Sequence, residues 1–310
     1  MSNEQSEPTA DAEAGLEVRT WFVRERNALL TSAEFGPLFV DYYLHLADHG
    51  IKPDPRHDAM FKRVLAGFVL HCASRPWNEM TAWTINFQEP LVNLFLAGDN
   101  EDGSVTGRVF DENVKEMSEN LFFADVIRGG GEKRRSSVTF EGDDPLVAVE
   151  EFYARSEQRG ARFFDLGGEN FALVSEHPDC DMTWFGALTT EQVKTLHDNE
   201  ETNLMERRVQ RWHCGCNQKR MLQVLAAAFK ADADGLCEND QMIEIRCPRC
   251  SVRHNVTREA MEAYVGADGG CFRDGGRGGY QSMTRVETGK GQATGQSAAA
   301  GTGAAKRFRQ

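Results

Sequence analysis

The sequence has no apolar run approaching the roughly 18–20 residues that a membrane-spanning helix needs. It contains no GxxxxGK[S/T] loop, no GxSxG elbow and no HExxH pair, so none of these phosphate-binding, acyl-transfer or metalloprotease signatures is available. Positive charge is short: 35 Lys and Arg stand against 48 Asp and Glu, a net charge of −13. Duplex binding relies on neutralising phosphates, so nucleic acid is not expected as a partner. The basic clusters Lys133-Arg134-Arg135 and Lys306-Arg307-Phe308-Arg309 read as solvated charge. The opening stretch MSNEQSEPTADAEAGLE has neither a basic n-region nor an apolar core, so an export signal is not expected, nor a membrane association, and the expected compartment is the cytoplasm.

What is present suits a globular protein of two domains with tails: 310 residues, 40% hydrophobic and 27% charged. Residues 1–16 are acidic and lack aromatic residues, which predicts disorder. Residues 266–310 hold twelve glycines and seven Lys and Arg against three Asp and Glu, and are expected to form a disordered basic tail. Between these ends the pattern predicts an α+β fold: a largely antiparallel sheet domain with packed helices, a short helical linker and a small C-terminal cysteine-bearing domain. The expected boundaries are 17–182, 183–211 and 212–265.

In the first domain, Met60, Phe61, Val64, Leu65, Phe68, Val69 and Cys72 recur at helical steps within 58–75. Trp83, Ile85 and Phe87 alternate with Ala82, Thr84 and Asn86, the period of a strand with one buried face. Further strands are predicted over 91–97 and 105–110, turning at Asp102-Gly103, and over 121–128 and 137–140, joined by Gly129-Gly130-Gly131. Asp144-Pro145 opens a helix to about Gln158. Two strands follow at 161–166 and 170–175. Thr189 and Gln192 have capping-box spacing, which predicts a helix across 188–212. Its apolar positions, Val193, Leu196, Leu204, Met205, Val209 and Trp212, are sparse among nine charged residues. Such a segment gains little from packing. The last unit is expected to hold a helix over 218–229, strands over 242–245 and 252–256, and a helix over 258–264.

Of the eight cysteines, four form two close pairs: Cys214-Gly-Cys216 and, thirty residues on, Cys247-Pro-Arg-Cys250. Four thiolates complete a tetrahedral zinc sphere, and a unit with so small a core generally needs such a staple. One Zn²⁺ is therefore expected on Cys214, Cys216, Cys247 and Cys250. His213 and His254 flank the cluster, but four cysteines already fill the sphere. Cys72 lies on an apolar helix face and reads as core. Cys180, Cys237 and Cys271 lie in polar stretches and are expected as free surface thiols without a role. Thiolates are what peroxide attacks, so oxidation at this site would displace the metal and unfold a module held together by it. The alternative is a permanent structural staple in a non-switching adaptor. A thiol-disulfide enzyme using Cys247 and Cys250 is disfavoured, because that CxxC lies between two strands beside a CxC.

The pattern CGCNQKRMLQVL…IEIRCPRCSVRHNVTREAMEAY resembles that of the redox-regulated 33-kDa heat-shock chaperone, or 33-kDa chaperonin, family. A second likeness lies in FYARSEQRGARFF, with Ser156, Glu157 and Gln158, and a third in MTAWTINFQEPLVNLFLAGDNEDGSVTGRVF, ending near Gly107-Arg108. The resemblance implies an ATP-independent holdase of the stress response, not an enzyme and without catalytic residues. It implies zinc on the four cysteines in the reduced form. In the oxidised form it implies disulfides Cys214–Cys216 and Cys247–Cys250, an unfolded linker, a homodimer and bound unfolded client proteins. Only 55 residues separate Gln158 from Cys214, a shorter linker than the family pattern.

Overall fold

The computed structural model describes residues 15–237 and 242–267. Most of the two tails (residues 1–14 and 268–310), and with them Cys271, lie outside the described residues. Ten strands form one sheet in the order β7-β6-β3-β4-β5-β10-β1-β2-β9-β8. Every neighbouring pair is antiparallel except β5 and β10, which run parallel. The fold is α+β, as the pattern predicts.

The chain opens with β1 (Leu16–Val23), β2 (Ala28–Glu34) and helix α1 (Gly36–Asp48). Leu16 is already core, so structure begins inside the segment expected to be disordered. Helix α2 (Pro55–Ala73) starts where Asp54 accepts the amides of Arg56 and His57, with Pro55 in the first turn. Its apolar face packs on a core that includes Trp83, Phe122, Phe152 and Tyr153. β3 (Glu79–Gln88), β4 (Leu91–Asp99), β5 (Ser104–Phe110), β6 (Asn120–Arg128) and β7 (Arg134–Phe140) follow at the expected places. Helix α3 (Pro145–Phe152) passes into one π-helical turn, Tyr153–Glu157, that closes on Gln158 in the left-handed region (φ 53°). β8 (Ala161–Gly167) and β9 (Asn170–Glu176) complete that half.

The segment after β9 departs from the expected single helix. Three short helices, α4 (Met182–Ala187), α5 (Thr190–Lys194) and α6 (Leu196–Asn199), are followed by an eleven-residue strand, β10 (Thr202–Trp212). The capping box of Thr189 and Gln192 is present and starts α5. The helical linker expected over 183–211 therefore ends at Asn199, and β10 enters the middle of the sheet between β1 and β5. Its inward side chains are polar: Arg208 and Gln210 are buried, whereas Leu204 and Met205 are exposed. That inversion is why apolar spacing suggests a helix here.

The last unit holds α7 (Gln218–Ala231), α8 (Ala233–Cys237), the hairpin β11 (Met242–Arg246) and β12 (Arg253–Thr257), and α9 (Arg258–Ala267). Its own core gathers Met221, Leu225, Phe229, Ile243, Val256 and Met261. Cys237 belongs to this core at 2% exposure, a correction to its expected place on the surface. The flanking sequence is polar, but α8 turns the thiol inward. Cys180 is half-buried against the core beneath α4 and α5, and Cys72 is core as expected.

Candidate metal centre

Two backbone knuckles bring four thiols together. β10 ends at Trp212, and His213 N donates to Val105 O on β5 at 2.9 Å, which fixes where the next residues leave the sheet. Gly215, between Cys214 and Cys216, sits at φ 64°, and a Cβ there would lie 3.3 Å from the His213 ring. A residue with a side chain would be strained at this turn. The second knuckle joins β11 to β12. Cys247 N donates to Val252 O at 2.8 Å, and Ser251 N donates back to Cys247 O at 3.0 Å. Ser251 takes the left-handed conformation (φ 68°) to do so.

The Sγ atoms of Cys214, Cys216, Cys247 and Cys250 all lie within 4.8 Å of one another. Cys214 and Cys247 are 3.6 Å apart, as are Cys216 and Cys250. A disulfide would need about 2.05 Å, so no pair is bonded. Four thiolates at about 2.3 Å from one ion have tetrahedral edges of about 3.8 Å, the scale of the spacings present. The donor set therefore fits a tetrahedral thiophilic ion such as zinc. It is the only such group of metal-binding side chains among the described residues. The CxxC pair is buried and the CxC pair half-buried, so the cluster has an open and a closed side.

The thiols titrate as one set. Hydrogen bonding with Cys216 brings Cys214 down to about 7. Cys247 is held far below the ordinary thiol range, chiefly by its bond with Cys214. Cys216 and Cys250 are pushed up, each chiefly through Cys214, as the partners that keep their protons. Cys214 and Cys247 are thereby shifted toward the thiolate, the form that binds metals and reacts with oxidants.

Neighbours of the cluster hold its backbone. Arg108 Nη1 donates to Cys247 O at 3.2 Å, and His45 Nε2 meets Cys250 O at 3.0 Å. A carbonyl only accepts, so His45 is the Nε2–H tautomer. Burial pushes the His45 pKa down, so the ring is neutral. His254 Nε2 lies 3.3 Å from Cys216 Sγ and acts as a neighbour rather than a fifth ligand. The sequence marks Arg108 only within the Gly107-Arg108 pair of the family likeness, without a role, and does not mark His45. Their contacts join residues 205 and 139 positions apart in sequence and leave no local pattern.

The structure is thus that of an α+β protein with a large sheet body and a C-terminal cluster of four cysteines able to hold a metal ion. Within that class the chain resembles the 33-kDa chaperonins. Residues 177–257 match the family model described as Hsp33 protein, about a quarter of the chain. The "33 kDa chaperonin" of Nitrosococcus oceani is 26% identical over 146 residues, covering 40% of this chain and 50% of that protein. That of Proteus mirabilis is 22% identical over 207 residues, covering 55% and 70%. The first of these alignments thus spans only half of the relative's length. The crystal structure of the 33 kDa chaperonin from Thermotoga maritima superposes with a TM-score of 0.62 at 14% identity, covering 82% of this chain and 99% of that one. At this identity the likeness is one of fold.

Proposed function

We propose that this protein is an ATP-independent holdase whose client binding is switched on by oxidation of the Cys214, Cys216, Cys247 and Cys250 centre. One observation carries the reading: four free thiols lie within 4.8 Å of one another at the end of a strand that runs into the main sheet. In the reduced form these four residues would hold one zinc ion, which when bound keeps the sulfurs ionised and staples the module. Oxidation pairs Cys214 with Cys216 and Cys247 with Cys250. Each pair of thiolates gives two electrons to one peroxide molecule, which takes up two protons from solvent and leaves as two waters; an S–S bond replaces the O–O bond, and the ion held by the thiolates is released to solvent. No thiolate then remains to hold an ion, and the module, whose core is small, loses most of its stability.

In this reading the body and the module are separate units, supported by their separate hydrophobic cores. The boundary near residue 212 is retained. The linker of 183–211 is reduced to α4–α6, because β10 is part of the sheet. Clients are unfolding proteins, the oxidised form is a homodimer, the compartment is cytoplasmic, and no chemistry is catalysed.

The test is light scattering from a thermally unfolding client, with zinc release followed in the same samples. The reduced, zinc-loaded chain should not suppress scattering, and the peroxide-treated chain should. One observation favours a second reading, a non-switching zinc adaptor: β10 is paired with β1 from Thr202 to Gln210, through one bulge, and with β5 at Arg211 and Trp212. That reading requires zinc to stay bound through peroxide treatment, with scattering unchanged.

A further inference from the structure

The two knuckles of the metal centre are tied to the body in different ways. The CxC arm continues β10 and is fixed by the backbone bond from His213 to Val105. The CxxC arm has no such continuity, since it lies within the β11–β12 hairpin. Its tethers are two side chains of the body, each directed at the carbonyl of a cysteine. Arg108, on β5, reaches Cys247 O with its guanidinium lying over the Phe110 ring, 3.9 Å from the centroid. His45, on α1, reaches Cys250 O. Cys247 O thereby accepts twice, once from Ser251 N inside the knuckle and once from Arg108 across the contact. Trp212, which ends β10 just before the CxC arm, packs its ring 5.0 Å from Tyr42, 5.7 Å from His45 and 6.3 Å from Phe61.

We infer that Arg108 and His45 are positioning residues that dock the CxxC knuckle on the body by reading the orientation of the Cys247 and Cys250 carbonyls. The inference rests on the redox-holdase reading for its purpose. The contact itself belongs to the reduced protein. Both carbonyls belong to the residues whose sulfurs change state. A disulfide between Cys247 and Cys250 would draw the two side chains together and re-aim their peptide groups. Both tethers depend on donor–acceptor aim, which weakens steeply with angle. Loss of both frees the hairpin side of the module. It also uncovers the apolar cluster around Trp212 and Tyr42, beside the already exposed Val40, Tyr43 and Leu44 of α1. The docking contact is thus the step between sulfur chemistry and exposure of apolar surface.

The test compares zinc-loaded, reduced full chains by hydrogen exchange and zinc content. Arg108→Met keeps the stem on Phe110 but removes the donors, and His45→Ala removes the other donor. The double variant should keep one zinc per chain. Exchange in the peptides covering α1 and the end of β10 should rise about tenfold, with β3 and β4 unchanged. His45→Gln and Arg108→Lys, which each retain an N–H donor, should restore most of the protection. Unchanged exchange at α1 and β10 in the double variant would overturn the inference. So would a uniform rise across the sheet, the mark of general destabilisation. Neither readout uses an oxidant or a client. Failure of the redox-holdase reading would appear separately, as wild-type protein that peroxide does not activate.

Discussion

The ring of Trp212 meets that of Tyr42 at 5.0 Å, two residues before Cys214. A tryptophan at the boundary between sheet and metal centre makes the state of the centre visible from the body. Chelation of the reduced protein should therefore change Trp fluorescence and abolish the helical signal of α7 and α9. The sheet body should keep its own cooperative thermal transition. Structural zinc on thiolates supplies on the order of 10 kcal/mol near neutral pH, far more than so small a core holds. A module that keeps its helical signal after complete metal removal would mean that its core suffices.

The cysteines divide by environment. Cys250→Ser should lower zinc affinity at least about 100-fold, because a hydroxyl is a poor substitute for a thiolate in a closed four-sulfur site. Cys180→Ser should leave metal binding unchanged. Cys72→Ala should also leave it unchanged while costing about 1–2 kcal/mol, since the thiol fills core space beneath Gly98. Burial pushes the Cys72 thiol pKa up, so it should be the slowest of these residues to alkylate. Equal loss of zinc in all three variants would indicate unfolding rather than ligand removal.

The four-cysteine cluster was legible because it is written in residue type and spacing: CxC and CxxC can be read without a fold. The strands from β3 to β9 were legible because short apolar runs, bounded by turn residues, fill their inner positions; in β9 both faces are buried, Phe171 and Leu173 in one core and Ala172 and Val174 in the other. β10 hid because Arg208 and Gln210 occupy its inner face. Arg208 there donates Nη1 to Cys72 O, pairs Nη2 with Glu206 and stacks on Trp77. Leu204 and Met205, the residues a pattern search follows, point outward. β1 carried a readable alternation of Leu16, Val18 and Thr20, all buried, but it abuts the acidic N-terminal stretch and was not assigned. The docking contacts could not be read at all, because a side chain bonding to a distant backbone carbonyl constrains neither neighbour's sequence.

His71 supplies a pH dependence. It is fully buried, with Nδ1 2.7 Å from the Tyr153 hydroxyl. Burial, helped by the charges of Arg75 and Arg159, pushes its pKa well below the ordinary histidine range. In the unfolded chain the ring takes a proton near pH 6.5, and in the folded chain it does not. Its contribution is therefore complete above about pH 6.5 and declines below it by up to about 1.4 kcal/mol per pH unit. Urea unfolding of wild type and His71→Phe should show a stability difference that shrinks between about pH 7.5 and pH 5.5. A constant difference across that range would mean that His71 is protonated in the fold.

The Ser156-Glu157-Gln158 turn has a structural explanation that can be measured. Glu79 has no solvent exposure and receives Arg75 Nε at 2.8 Å and Arg128 Nη2 at 2.6 Å. Arg75 extends the chain of charges to Glu157 Oε2 at 2.7 Å. Four charges thus join the end of α2, β3, β6 and the π-helical turn. Removing one partner of a buried pair leaves its counter-charge uncompensated, so Glu79→Gln should cost about 3 kcal/mol. Glu157 is partly exposed, and without it Arg75 keeps Glu79, so Glu157→Gln should cost only about 1 kcal/mol. The two share Arg75, so the double variant should depart from additivity by at least about 0.5 kcal/mol. Denaturant unfolding of the sheet body measures all three. Additive costs would show that Glu157 acts independently of Glu79. The turn would then require some purpose other than anchoring the helix end to the sheet.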